Sequence, residues 1–470
     1  MKARLDLRKK FVFTCDPVSA RDYDDALSLE TDRRGNRILG VHIADVSHFV
    51  KPGSAIDREA YKRGTSVYLC DRVIPMLPEK LCNGECSLLP GRDRLTFSVF
   101  MTFDRNGEMV KREFAKSVIH SQARFTYEQV MKVIKGGEDK TLKLGKRELK
   151  TIRAISDLAQ QLRAKRFAAG ALDLEVPDVQ VELDDAGNMA GLKVTPYDES
   201  HQMIEECMVA ANEAVAKELW THGIKILARY HESPDPEKLD MLRAELRGLG
   251  VRPGNLEHPK VFTQFLQTIK RHPLYSTISV MVLRSMKKAV YDGEKMGHFG
   301  LAKRYYAHFT SPIRRYPDLT LHRQLAAYLE GGNARVPAPT LKRWAKHLSE
   351  KEQEAAEAER ESVDDKKYEL LERELASRCL VEYEAVVEKC MPFGCFVQLP
   401  ELAVSGLVHV RSLSHRFLRF NQYDQTLGGW KVGDKLKVTV AGVNRAERKI
   451  DFVPVRENDF RPGRGKRRRR

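Results

Sequence analysis

The stretch Asp16-Pro17-Val18-Ser19-Ala20-Arg21-Asp22-Tyr23-Asp24-Asp25 decides how this chain is read. It crowds four carboxylates into ten residues. The run before it, Phe11-Val12-Phe13-Thr14-Cys15, alternates as a strand does, and a second strand-like run, Ala26-Leu27-Ser28-Leu29, follows at once. The acids therefore belong to a short connection between two strands at one end of a sheet, where a proline need not donate to a ladder. Like charges this close repel. Either the turn is simply solvated, or a divalent cation gathers the carboxylates. Mg²⁺ takes oxygen ligands, keeps several waters and shares its shell with substrate phosphates. A pair of such ions is the clamp used for phosphodiester cleavage. The calcium-loop pattern fails, because no glycine follows the acids and no ligand-spaced glutamate completes the loop.

At 470 residues the chain has room for two or three domains. A hydrophobic share of 42% is that of a soluble globular protein, and no apolar run reaches membrane-spanning length. The net charge of +16 favours a polyanionic partner, against which the acidic knot stands out. Met1 to Lys10 is basic but leads into a strand, not into the apolar core of a signal peptide, so a cytoplasmic location is the expectation. The close pairs Cys82/Cys86 and Cys390/Cys395 have no second pair at zinc-ribbon spacing and read as free buried thiols. No Walker loop or dinucleotide fingerprint is present.

Further along, residues 38–50 read as a third strand, with Asp45 at its far end either a strand-end cap or a carboxylate that supports the acid cluster from behind. Tyr68 is either core or a stacking surface. Alternation from Leu95 to Phe103 and from Met109 to Ser121 gives two long strands joined at Asp104-Arg105-Asn106-Gly107. The helix from His201 to Trp220 is apolar round most of its circumference, yet carries Glu205 and Glu206. Carboxylates are seldom buried without partners, so at least one of these faces a polar site. Ser311-Pro312 reads as a helix start, which puts Arg314 and Arg315 in a first turn where the dipole disfavours cations. They contact either a phosphate or acids of the chain such as Asp318. A long helix runs from Leu341 to about Ala376, with Glu359 on a semi-apolar stripe. After Arg378 five short alternating strands suit a small OB-type barrel, on which Phe393, Phe396 and His409 offer stacking surfaces for single-stranded nucleic acid. The end, Lys466 to Arg470, is a basic tail.

These residues together resemble the ribonuclease II / ribonuclease R family of 3′-to-5′ exoribonucleases. The resemblance covers nearly the whole chain. Its strongest parts are Asp16 with Asp22-Tyr23-Asp24-Asp25-Ala26, Val41-His42-Ile43-Ala44-Asp45-Val46, Arg63 to Tyr68, Ile74 to Pro78, Cys86-Ser87-Leu88, Ile204 to Met208, and His308 to Asp318. Gly64 to Tyr68 and Arg314 to Asp318 are closer to the ribonuclease R branch. The fold so implied is α+β: a large mixed α/β catalytic domain over 1–376, an OB-fold RNA-binding barrel of the ribosomal-protein type over 377–455, and a basic tail over 456–470.

The family implies processive hydrolysis of single-stranded RNA to nucleoside 5′-monophosphates by two metals, in RNA decay and quality control. Asp16, Asp22, Asp24 and Asp25 would hold Mg²⁺, with Mn²⁺ an alternative that suits the same ligands. Asp24 would be the most sensitive for the chemistry. Arg314 would contact the scissile phosphate and Glu359 would lie near the catalytic pocket. Tyr68 would stack on the terminal base, and Glu205 would meet the ribose 2′-hydroxyl. Arg315, Phe393, Phe396 and His409 are further candidate RNA contacts. A monomer with no membrane association is expected. The rival reading is a catalytically silent RNA-binding protein on the same fold.

Two departures stand out. The family usually carries two cold-shock barrels ahead of the catalytic domain, whereas this chain begins almost directly at Phe11. That points either to a truncation or to a natural short form, with RNA capture resting on the C-terminal barrel and tail. Leu174 stands where enterobacterial relatives have a phenylalanine. It gives apolar contact without a ring, which alters the expected length of the final product.

Overall fold

The computed structural model describes residues 4–137, 144–173, 178–272, 274–377, 381–414, 416–422 and 425–455. Leu174 and the tail at 456–470 lie outside the described residues. The acidic turn connects the strands Phe13–Cys15 and Asp25–Thr31, as their alternation predicts. These belong to a seven-stranded sheet that runs in space as Leu5–Asp6, Met109–His120, Asp93–Phe103, Arg37–Ala44, Asp25–Thr31, Phe13–Cys15 and Ala123–Phe125. The first and last of these strands pair parallel with their neighbours and the remaining pairs are antiparallel. The third strand is shorter than residues 38–50, because Val46–Phe49 turns into a short helix.

Period-2 patterning gives the sheet two different faces. Leu39, Val41 and Ile43 share one face with Phe97, Val99 and Met101, and pack on the helices Lys146–Ala168 and Glu199–Thr221. The second helix starts where Asp198 accepts a hydrogen bond from the Ser200 amide. Its many alanines let it lie close on the sheet. The opposite face carries a buried polar row: Ser28 Oγ lies 2.9 Å from His42 Nε2, His42 Nδ1 lies 2.6 Å from Ser98 Oγ, and Ser98 Oγ lies 2.6 Å from Ser117 Oγ. Gly40 is required beside this row, since a Cβ there would sit 2.4 Å from Ser28 Oγ. Burial pushes His42 down to about 3, so the ring stays neutral within this row.

The helix Ala338–Ala376 has 39 residues, which makes it roughly 58 Å long. Near its start Leu341 and Leu348 join the second core beneath the sheet, and His347 packs on Tyr61 with ring centroids 4.5 Å apart. Towards its end Asp365 and Glu361 pair with Arg445 and Arg448 of a closed barrel. The barrel strands are Tyr383–Met391, Gly394–Leu399, Val404–His409, Lys449–Pro454 and Lys435–Asn444, in that spatial order. Val387, Val397, Val408, Val438 and Phe452 fill it. The architecture is thus α+β with an OB-like barrel. Among the described residues the cysteines are free thiols, all buried except the half-buried Cys70.

One expectation is overturned. The helix does not begin at Ser311-Pro312. Residues 312–314 form a turn, Arg315 is extended (φ −131, ψ 123), and the helix is Tyr316–Leu329 with Pro317 in its first turn. Pro312 initiates the turn, and Pro317 supplies the preset φ that opens the helix.

Candidate functional site

The acidic loop is tied down from several sides. The Asp16 amide donates to Phe125 O (3.1 Å) and the Ala44 amide to Asp24 O (2.9 Å). Ser87 clamps the loop centre: its Oγ accepts from the Tyr23 amide (3.0 Å) and donates to Arg21 O (2.9 Å), while the Leu88 amide donates to Tyr23 O (3.0 Å). Cys86-Ser87-Leu88 thereby acts as a staple for the acids.

Asp24 is buried. Its Oδ1 accepts the Ile313 amide at 2.9 Å, and its Oδ2 stands 3.6 Å from Arg314 Nε. Asp24 Oδ2 and Asp16 Oδ2 are buried and have no hydrogen-bond partner. Such orphaned acceptors are costly and call for an explanation. Burial raises the Asp24 carboxyl well above its ordinary range, opposed by Arg314 and the Ile313 amide. Burial and the Asp25 charge push Asp16 up to about 8. Burial also raises Asp25 to about 6 against the pull of Arg314 and Arg315. Among the described residues, no group of three or more His, Cys, Asp or Glu side chains is arranged to hold a metal ion. The unpaired buried oxygens of Asp16 and Asp24 are nonetheless donors of the kind Mg²⁺ takes, with waters and phosphates completing its shell. The residues present fit a divalent cation.

Arg314 is held by its backbone. Its carbonyl accepts from the Ser66 amide (2.9 Å) and from Thr65 Oγ1 (3.0 Å), and the Tyr316 amide donates to Gly64 O (3.0 Å). Gly64 has φ +73, and a Cβ there would meet Lys351 Cβ at 2.8 Å. The Gly64-Thr65-Ser66 run is therefore a bracket for Arg314, whose side chain is 48% exposed beside Asp24. Because Arg315 is extended, successive side chains point to opposite sides. Arg315 turns inward and donates to Asp318 Oδ1 at 2.7 Å, on a carboxylate that also accepts the Ser311 amide (2.8 Å). It pairs with an acid of the chain, so the expectation that it contacts RNA is not met by this geometry.

Tyr68 lies at the same mouth, its hydroxyl donating to Asp22 Oδ2 (3.3 Å). Its amide donates to Glu359 Oε1 (2.8 Å). Glu359 thus holds Tyr68 and makes no contact with the acid cluster. Asp45 is no simple cap: it is buried, accepts from Ser47 Oγ (2.6 Å) and pairs with Arg4 (2.7 Å). Glu206 is buried against Arg166, which also reaches Glu205 Oε1 at 3.0 Å. Glu205 remains partly open to solvent, so the two adjacent carboxylates divide into a buried anchor and an outward group. On the barrel, Phe393 and Phe396 meet edge to face at 6.2 Å, and His409 pairs in register with Gly394 on the neighbouring strand. Phe393 and His409 are exposed. Ser87 and Ile313 fall in stretches that carry the family resemblance, but the sequence gives neither a role, and nothing local marks Arg166.

Residues 4–331 match the RNB domain family, and residues 382–453 match the S1 RNA binding domain family. The chain is similar to a protein named ribonuclease R from Thermotoga maritima, 42% identical over 97% of this chain and 65% of the relative. It is similar to ribonuclease R of Escherichia coli, 37% identical over 96% of this chain and 57% of the relative. It therefore spans about three fifths of the length of these curated relatives. Among solved structures it resembles Mycoplasma genitalium RNase R in complex with ribose methylated single-stranded RNA, with TM-score 0.88 and 28% identity over 97% of this chain and 72% of the other. The acids and their backbone anchors from Asp16 to Asp318 all fall inside the first matched segment, and the chain belongs to the RNB domain family, with an S1 RNA binding domain following it.

Proposed function

We propose that this chain is a divalent-metal-dependent exoribonuclease that degrades single-stranded RNA from its 3′ end to nucleoside 5′-monophosphates. The observation that carries this reading is the pair of buried, unpartnered carboxylate oxygens on Asp16 and Asp24, with the half-exposed guanidinium of Arg314 beside Asp24. Asp16, Asp22, Asp24 and Asp25 would hold Mg²⁺, and Mn²⁺ suits the same oxygens. When bound, the metal neutralises these acids and supplies Lewis acidity at a phosphodiester oxygen. Asp24, fixed by the Ile313 amide, presents one oxygen in an invariant position. Arg314 donates to the phosphate as negative charge builds on it. Tyr68, braced by Asp22 and Glu359, stacks on the terminal base. Glu205 accepts from the ribose 2′-hydroxyl that separates RNA from DNA. Phe393, Phe396 and His409 of the barrel at 377–455 stack on bases upstream of the domain at 1–376, and the tail at 456–470 adds salt-sensitive phosphate binding. The protein would act as a monomer in the cytoplasm, where no membrane is needed; no helix among the described residues is long and apolar enough to cross one.

A 5′-labelled single-stranded RNA incubated with the protein and Mg²⁺ tests this. Full-length RNA should collapse into one short labelled product, chelator should block the reaction, and circular RNA and DNA should survive. A retarded RNA band without cleavage would overturn the enzyme reading in favour of a binding protein. Cleavage of circular RNA would make it an endonuclease.

A further inference from the structure

A run of rings and guanidinium groups leads away from the acids and is not used by any group assigned above. It begins at Tyr127, two residues after Phe125, the residue whose carbonyl receives the Asp16 amide. The His201 ring stacks on Tyr127 with centroids 3.8 Å apart and planes 16° from parallel. His201 is held in that orientation by Asp198 Oδ1, 3.0 Å from its Nδ1. Tyr197 follows, its ring 6.2 Å from that of His201. Arg163 closes the run: its guanidinium lies 5.7 Å from the Tyr197 ring centre, and its Nη1 donates to the Tyr197 hydroxyl at 3.4 Å. The same Nη1 is 3.8 Å from Glu205 Oε2. The run therefore links the neighbourhood of Asp16 to that of Glu205.

Tyr197 is the exposed step of this run, with 40% of its surface open. Here the ring is oriented by an arginine on its hydroxyl side and a histidine beside it, while the chain leaves a face to solvent. It sits in the connection just before Asp198, the cap of the helix that carries Glu205, and its contacts with His201 and Arg163 tie it to that helix and to the helix Lys146–Ala168. Arg163 is buried and paired with Asp173, Glu205 and Glu206, so it orients the ring and leaves the aromatic surface as the group available to a base, which stacking engages without regard to sequence.

We infer that Tyr197 is a base-stacking platform for the RNA strand, positioned by His201 and Arg163, between the acid cluster and Glu205. The inference rests on the proposed function, since it needs a single strand of RNA to pass Glu205.

The test uses the full chain in chelator, so that RNA is bound and not cut. Single-stranded RNAs carrying 2-aminopurine at successive positions from the 3′ end are titrated with wild type, Tyr197→Ala, Tyr197→Leu and Tyr197→Phe. Wild type should quench the fluorophore at one position near the 3′ end beyond any quenching by Tyr68. Tyr197→Ala and Tyr197→Leu should release that quenching and weaken binding by about 5- to 100-fold. Tyr197→Phe should retain the quenching. Unchanged affinity and quenching in both the alanine and leucine variants, with wild-type RNA binding intact, would overturn the inference alone. Failure of the wild type to bind RNA at all would overturn it together with the function on which it rests.

Discussion

Without its cation the acid cluster should make the protein less stable as the solution becomes more alkaline. Asp16 is pushed up to about 8 in the folded chain by burial and the Asp25 charge, whereas in the unfolded chain it ionises near 3.8. A folded-state value raised above the unfolded one means that the folded form binds the extra proton, so stability is lost as pH climbs towards the folded value. Each unit across that window costs about 1.4 kcal/mol. Asp25, raised to about 6, has spent its contribution by then. Three buried histidines act in the opposite sense at lower pH: His42 and His298 are pushed down to about 3 and His322 to about 4, each by burial. Their stabilising effect rises only up to the ordinary histidine value of 6.5. The interval from about pH 6.5 to pH 8 therefore isolates Asp16, with Asp24 raised in the same direction, and should cost about 2 kcal/mol or more. Urea denaturation followed by circular dichroism, in chelator and in excess Mg²⁺, measures it. The cation favours the ionised acids, so the fall should shrink when it is present. Asp16→Asn should reduce the fall in chelator by its own share and leave that of Asp24. A flat wild-type profile, or an equal fall in Asp16→Asn, would refute the reasoning.

Three further outcomes follow from single contacts. Asp24→Asn keeps an oxygen for the Ile313 amide but loses the charge, so hydrolysis in the gel assay should fall by about 10³-fold or more while RNA retardation stays nearly intact; loss of both would mark Asp24 as structural. Glu359→Ala removes the acceptor of the Tyr68 amide and should raise KM for RNA by about fivefold, reflecting roughly 1 kcal/mol, with Glu359→Gln largely restoring it in steady-state kinetics. Arg166→Met leaves buried Glu206 with only the longer Arg163 contact at 3.6 Å and should lower stability in urea by about 3 kcal/mol, much of which the double variant Arg166→Met/Glu206→Met should recover.

The strand–turn–strand holding the acids, the long hairpin, the apolar helix, the long charged helix and the barrel were all legible in the sequence. Their signals are periodicities of two or 3.6 over a dozen residues, and the packed core agrees with them. What stayed hidden depends on contacts across the chain. Arg314 and Arg315 are identical neighbours in sequence, yet one faces Asp24 and the other turns to Asp318, because pairing of Arg315 with Thr65 makes the segment extended. Two prolines compete to open the following helix, and only that pairing decides for Pro317. Asp45 reads as a cap until Arg4 is folded against it. Glu359 is one of many glutamates on a solvated helix, and its link to Tyr68 spans 291 positions.

That span has a meaning for when the site can exist. Asp24 is pinned by an amide 289 residues downstream, and the segment bearing Tyr68 is pinned by Glu359. A chain emerging amino terminus first carries its acids long before it carries their anchors, and contacts of such separation close late. A half-made copy would hold its acids on a turn tied by Phe125, Ala44 and Ser87, with neither Ile313 nor Arg314 to set Asp24. The long helix is therefore more than a strut between domains. Through Glu359 it also holds the segment that bears Tyr68 at the mouth of the acid cluster.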